Sequence, residues 1–229
     1  MYGIIGAMQK EIDGLLSDLE SCAERRISGI TFYTGRLSGR AVAIAKSGVG
    51  KGSAAMTAAI MIREFSPVAV INTGVSGALS PTLSVGELAL ATALVEHDMD
   101  TSPLGDPVGF LSGPDVVELP ADEELLSAAA AAAESLGIRY ERGVIASGDQ
   151  FICDGAKKAW IRDTFGAISC EMEGAAIAHV CYTAGVPVAV VRSISDKADG
   201  SAEVDFPSFA AQAAEQSRRV TEAMLAGLG

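Results

Sequence analysis

The sequence predicts an α/β fold, a three-layer αβα single domain with a central mixed sheet, covering residues 1–229. Three observations predict it. Short apolar or β-branched runs alternate with helix-period stretches along most of the chain. Some runs, such as residues 68–73, are apolar almost throughout, as expected of strands covered on both faces. No linker or composition break divides the 229 residues, and 49% of them are hydrophobic, which suits one sizeable core.

The elements follow in order. Residues 2–8 read as a strand, and 9–19 as a helix with Ile12, Leu15, Leu16 and Leu19 on one face. Residues 27–36 and 40–47 read as a hairpin turned at Leu37-Ser38-Gly39, where Gly39 is free to take positive φ. A helix rich in Ala and Met covers 50–64, and strands follow at 68–73 and 86–95. Residues 97–120 hold four prolines and three glycines and form the long loop, a length that usually signals function or mobility. The helix at 121–136 is led by Asp122, Glu123 and Glu124, acids that suit the positive end of its dipole. Its run of six alanines expresses helix propensity. A strand at 139–147, a helix at 156–164 and a strand at 165–170 come next. A helix then runs to Ala184, with Gly185 as its C-cap before Pro187. The last strand covers 188–194, and a closing helix covers 206–228 with Asp205 as N-cap and Pro207 in its first turn.

Charge narrows the function. Lys plus Arg is 17 and Asp plus Glu is 29, a net charge of −12. Such a surface repels nucleic acid and anionic membrane. No apolar run approaches the ~18 residues of a membrane span, and the N-terminus lacks a basic region before an apolar one. The expected setting is the cytoplasm. The four cysteines form no C-x-x-C pair and are expected to be buried thiols. His97 and His179 are too few and too far apart for a zinc site, so no metal is expected.

The chemistry lies at strand ends. Ligands of open α/β sheets bind where strands give way to helices. Glu11 follows the first strand there, Glu171-Met172-Glu173 follow the run 165–170, and Arg192-Ser193-Ile194-Ser195-Asp196 follow the apolar run 186–191. Carboxylates at strand ends suit a hydroxyl-rich or basic small molecule. Glu171 and Glu173 also read as dipole-complementing acids in a first helical turn, or as a grip on vicinal hydroxyls, since one carboxylate accepts two hydrogen bonds. Asp196 reads as an N-cap, as a partner of Lys197, or as a general acid. In the last role, an ordinary Asp is protonated only about one time in a thousand at pH 7, a deficit of ~4 kcal/mol. Burial or a proton-sharing partner must offset that. Glu11, as a base, needs no unusual shift. The loop Ser47-Gly48-Val49-Gly50-Lys51-Gly52-Ser53 fails the Walker pattern, because Gly52 follows Lys51, and it fails G-x-G-x-x-G at Ser53. It reads as a strand-to-helix turn, as does Thr73-Gly74-Val75-Ser76-Gly77. Each is open either to close approach of a ligand or to plain tight packing.

Taken together, six segments resemble the nucleoside phosphorylase superfamily, and within it the methylthioadenosine/adenosylhomocysteine nucleosidases. They are GIIGAMQKEID at 3–13, KSGVGK at 46–51, INTG at 71–74, SGDQFI at 147–152, EMEGAAIAHV at 171–180 and VVRSISDKAD at 190–199. The resemblance implies that family's phosphorylase/hydrolase-like fold and hydrolysis of an N-glycosidic bond, releasing adenine and a 5-thioribose without cofactor or metal. By match, Glu11 activates water, Asp196 passes a proton to adenine N7 with help from Ser195, and Arg192 orders that network. Glu173 holds the ribose hydroxyls, with Met172 against the sugar and Glu171 and Gly77 beside them. Phe151 stacks on adenine and the backbone of Ile152 reads its edge. Met8, Val49 and Phe206 line the 5′-alkylthio pocket. The family implies a homodimer in which the partner's 97–110 loop, with Thr101 and Leu104, closes the site.

Two departures stand out. The turn at 74–78 reads Gly-Val-Ser-Gly-Ala where many relatives have Gly-Ser-Ala-Gly-Gly, so residue 75 brings no hydroxyl. The long loop lacks the family's frequent aromatic residues, leaving Leu104 to cover an alkylthio group and Asp106 to meet a polar tail or water. Competing readings are a hydrolase of another 5′-substituted adenine nucleoside (aminofutalosine-type), a phosphate-dependent purine nucleoside phosphorylase, and a non-catalytic nucleoside-binding protein. An acid at the first strand end favours water over phosphate as nucleophile, since two anions there repel each other.

Overall fold

The computed structural model describes residues 1–228, the side chains of 203 and 204 excepted, so the last residue of the expected domain lies outside it. Ten strands build one mixed sheet: β1 (Tyr2–Gly6), β2 (Glu20–Ile27), β3 (Ile30–Leu37), β4 (Arg40–Lys46), β5 (Ala69–Ala78), β6 (Leu88–Glu96), β7 (Leu119–Pro120), β8 (Tyr140–Ser147), β9 (Ala167–Glu171) and β10 (Val188–Asp196). The helices are α1 (Gln9–Ser17), α2 (Lys51–Phe65), α3 (Glu123–Ser135), α4 (Gly155–Phe165), α5 (Gly174–Ala184) and α6 (Ala202–Gly227). The sheet runs β10-β6-β8-β9-β5-β1-β4-β3-β2, and β10 also pairs with β5, so half of it curls into a closed ring. Helices α1, α3 and α6 cover one face through Ile12, Leu15, Leu125, Leu126, Val220 and Met224. On the other face α2 and α5 pack through Ala54, Ala58, Met61, Ala175 and Ile177. This is the predicted layering.

The topology positions the site. Strand β5 runs parallel to both β1 and β10, and β8 runs parallel to β9. Their C-terminal ends meet on one rim: Arg192 pairs with Gly74, Asp196 with Gly77, and Ser147 with Glu171.

Four expectations need correction. Strand β2 is additional to the predicted elements, and β3 begins at Ile30 instead of 27. Every β2 residue but Ile27 is exposed, so the strand shows no in–out alternation. Its hairpin turns on Ser28 and Gly29, both at positive φ, the geometry that matches strand twist. Residues 73–77 are not a turn. Strand β5 runs on through Ala78, because its glycines take extended backbone and pair with β10 and then β9. The last helix begins at Ala202, with Asp205 and Pro207 inside it. Asp199 turns the chain into it, accepting from Ser201 N–H (3.0 Å) and Oγ (2.9 Å). Of the cysteines, Cys170 and Cys181 are buried, whereas Cys22 is exposed and Cys153 half-buried. Among the described residues no helix is long and apolar enough to cross a membrane, and no group of His, Cys, Asp and Glu is arranged to hold a metal ion.

Candidate active site

Glu11 sits in the first turn of α1 and folds back over its start. Oε2 accepts from the Ala7 N–H (2.7 Å) and the Met8 N–H (2.8 Å), the carboxylate half of a capping box. Oε1 accepts from the Val75 N–H across the sheet at 3.1 Å. The carboxyl is buried, and desolvation pushes its pKa up, while Arg192 and the three N–H groups hold it down. Burial takes water away from the carboxylate, and the base role itself calls for no such shift.

Asp196 ends β10 just past an irregularity in register between Ile194 and Asp196, which re-aims the strand end. Ser195 Oγ donates to Oδ2 at 2.8 Å, and the Ala198 N–H donates to Oδ1 at 2.8 Å. Burial raises this carboxyl, opposed by those two bonds. Asp196 does not pair with Lys197, whose ammonium binds the Leu83 carbonyl. A Cβ on Gly77 would lie 2.7 Å from Asp196 Oδ1, so glycine is what lets β5 approach the acid.

Arg192 is fully buried and holds the third carboxylate group in place. Its Nη2 donates to Asn72 Oδ1 (2.5 Å) and to Glu171 Oε2, and lies 3.7 Å from Glu173 Oε2. Its Nε and Nη1 have no hydrogen-bond partner among the described residues. A Cβ on Gly74 would collide with Nη1 and lie 2.6 Å from Glu11 Oε1, which places both groups around one small spot. Glu171 is saturated: it also accepts from Ser147 Oγ and from the N–H groups of Glu173 (2.9 Å) and Gly174 (2.8 Å). Its carboxylate orients Arg192 and caps α5, which leaves Glu173 as the one of the two acids free to grip hydroxyls. Glu173 keeps more freedom, with Oε1 accepting from the Gly50 N–H at 2.9 Å. Burial, then Glu171, push its pKa up to about 7, with Arg192 opposing.

These groups face one cavity of about 400 Å³. Glu11, Glu171, Glu173 and Asp196 line it, and no Lys or Arg does. Met172 lies on its wall, and Ser195 and Gly77 sit beside Asp196. Met8, Val49 and Phe206 form an apolar end, and Phe151 meets Phe206 edge-on at 5.6 Å between ring centroids. Ile152 stands just beyond, in a recess shared with Phe151, Gly77 and Asp196. Thr101 and Leu104 do not line the chain's own cavity. Thr101 Oγ1 donates to Asp106 (2.8 Å), and Leu104 is 83% exposed. Sequence reasoning misses Asn72, Ser147 and Gly50 as supports, although each lies within one of the six family-like segments. Ser76 and Cys170 also line the cavity without having been expected there.

A family model described as the phosphorylase superfamily matches residues 1–226. The chain is 40% identical to the aminodeoxyfutalosine nucleosidase of Campylobacter jejuni, over 93% of each chain. It is 39% identical to the 5′-methylthioadenosine/S-adenosylhomocysteine nucleosidase of Halalkalibacterium halodurans, over 99% of this chain and 98% of that one. The crystal structure of the corresponding Neisseria meningitidis nucleosidase with methylthio-immucillin-A superposes with a TM-score of 0.96, at 34% identity and 99% coverage of both chains. The chain belongs to the phosphorylase superfamily.

Proposed function

We propose that the protein is an N-glycosyl hydrolase that cleaves 5′-methylthioadenosine and S-adenosylhomocysteine to adenine and the 5-thioribose. The observation that carries this is the cavity's charge: four carboxylates and no cation line it. A phosphate dianion would meet repulsion there, whereas a water and an oxocarbenium-like ribose are stabilised. Arg192, buried behind Glu171 and Glu173, offsets one of those charges and leaves the lining net negative.

The steps rest on the family resemblance together with where these residues stand. Glu11, with Arg192 Nη1 beside it, takes a proton from water as the water oxygen bonds to the anomeric carbon. The bond from that carbon to adenine N9 breaks, and Asp196, steadied by Ser195, gives a proton to N7. Glu173 accepts hydrogen bonds from the ribose hydroxyls, and its ionised form stabilises the positive sugar. Met172 packs on the sugar, Phe151 on the base, the Ile152 backbone reads the base edge, and Met8, Val49 and Phe206 enclose the thioether. Each methylene buried there contributes about 0.8 kcal/mol. A second reading keeps the chemistry and changes the 5′ group: the Campylobacter jejuni relative is named for aminodeoxyfutalosine.

We read the protein further as a cytoplasmic salvage enzyme that works as a homodimer, each site closed by the partner's 97–110 loop. The outward-facing Leu104 and an apolar groove of about 660 Å³ between α2 and α5 support two copies packing together. Adenine release from methylthioadenosine is expected in phosphate-free buffer, at a rate that added phosphate does not raise, with free methylthioribose as product. Release that requires phosphate and yields a ribose 1-phosphate would overturn the role of Glu11. Gly77→Ala is expected to lower kcat about 10²-fold by displacing Asp196. An unchanged kcat would show that the acid tolerates the shift.

A further inference from the structure

The 5′ end of the cavity differs electrically from the rest. Lys10 lies beside the wall residue Met8, and its Nζ sits 4.7 Å from the centroid of the Phe206 ring. Phe206 is itself part of the cavity wall. Lys10 is exposed, and among the described residues its ammonium has no carboxylate partner. Asp205, the acid next to Phe206, is engaged by Ser201 Oγ at 2.6 Å. Asp13, one turn along α1, is engaged by Gln9 Nε2 at 2.8 Å.

A second observation points the same way. A recess of about 360 Å³ adjoins this end, joined to the site's wall through the consecutive residues Met8–Gln9 and Gly48–Val49. Arg26 and Lys46 line it together with Gln9 and Ser47, and no carboxylate does. In a chain of net charge −12, Lys10 at this end and Arg26 and Lys46 in the neighbouring recess have no ion-pair partner among the described residues, a local reversal of sign. A 5′ substituent that reaches past Phe206 therefore meets the Lys10 ammonium.

Resting on the hydrolase reading above, we propose that Lys10 is a specificity-determining residue that recognises a carboxylate at the outer end of the 5′ substituent. Nucleosides whose 5′ tail ends in a carboxylate are favoured over neutral alkylthio ones of equal length. Phe206 holds the ammonium over the mouth through its ring face. The apolar body of the tail lies against Met8, Val49 and Phe206. Arg26 and Lys46 extend the same positive field to tails that bend toward the recess.

The test compares two synthetic substrates of equal length: 5′-(3-carboxypropylthio)adenosine, which is anionic, and 5′-butylthioadenosine, which is neutral. The readout is the ratio of their kcat/KM values. Lys10→Met is expected to lower the anionic-to-neutral ratio about threefold and Lys10→Glu about tenfold, the scale of exposed ion pairs. Lys10→Arg is expected to keep it. The wild-type ratio is expected to fall as salt rises, since screening weakens an exposed pair. A ratio that stays fixed in Lys10→Glu, or a parallel loss on both substrates, would overturn the proposal, because Lys10 would then only pack on Phe206. Failure of the wild-type protein to release adenine from the neutral compound would instead remove the hydrolase reading on which the proposal rests.

Discussion

Asp196→Asn is expected to lower kcat by about 10²–10⁴ while leaving the fold intact. Asparagine keeps the side chain's shape and can still accept from the Ala198 N–H, which Asp196 Oδ1 now does at 2.8 Å. What it loses is the transferable proton. Adenine leaves as a poor anion unless N7 is protonated, so the full cost of that anion returns to the barrier. The native acid is tuned for proton donation, since burial raises its pKa and so reduces the deficit an ordinary Asp has at neutral pH. Glu11→Gln is expected to give a loss of similar size by a different route, because the attacking water then keeps its proton. A nucleoside already methylated at N7 separates the two. Its base leaves without an acid, so the Asp196→Asn defect should largely vanish while the Glu11→Gln defect stays. If the methylated substrate rescues both variants or neither, the division of labour between the two acids is wrong.

The positions of these groups are legible in the sequence because strand ends are legible. Glu11, Glu173 and Asp196 each follow an apolar run with a helix pattern beyond, and that geometry alone brings them to one rim. Their electrical state is not legible. The raised pKa of Glu11 depends on enclosure by β5 as well as β1, and the Val75 N–H that holds it comes from 64 residues away. Glu171 shows the same limit. In sequence it looks as available as Glu173, yet Ser147 from β8 and Arg192 from β10 occupy its oxygens. Neighbouring acids in sequence are thus separated into support and contact by strands that only the fold places beside them. The extent of β5 is hidden for a local reason. Gly74 and Gly77 are the residues a turn would use, and here they serve close approach of Arg192 and Asp196 instead. The exposed edge strand β2 is hidden because it has no buried face to imprint a pattern.

Arg192→Met is expected to destabilise the protein by about 3–5 kcal/mol, the cost of leaving buried charge unpaired. For a chain of this size that is a fall in Tm of roughly 10 °C. The guanidinium is fully buried and stands between Glu171, Glu173 and Glu11, each of which raises its pKa against the desolvation that lowers it. Methionine fills much of the volume but leaves the buried Glu171 and Glu173 without their shared cation. Glu173 would respond by holding its proton to still higher pH than its present value of about 7. A second substitution isolates the electrostatic part. Adding Glu171→Gln removes one of the two anions yet keeps an acceptor oxygen for the Glu173 and Gly174 N–H groups at the start of α5. The double variant should therefore recover much of the lost Tm. It should not recover activity, because the Nη1 donor beside Glu11 is still missing. A single variant that melts like the wild type would mean that the ion pairs around Arg192 add nothing to stability. A double variant no more stable than the single one would mean that Arg192 matters for its packing and its bond to Asn72, and not for the charges it sits between.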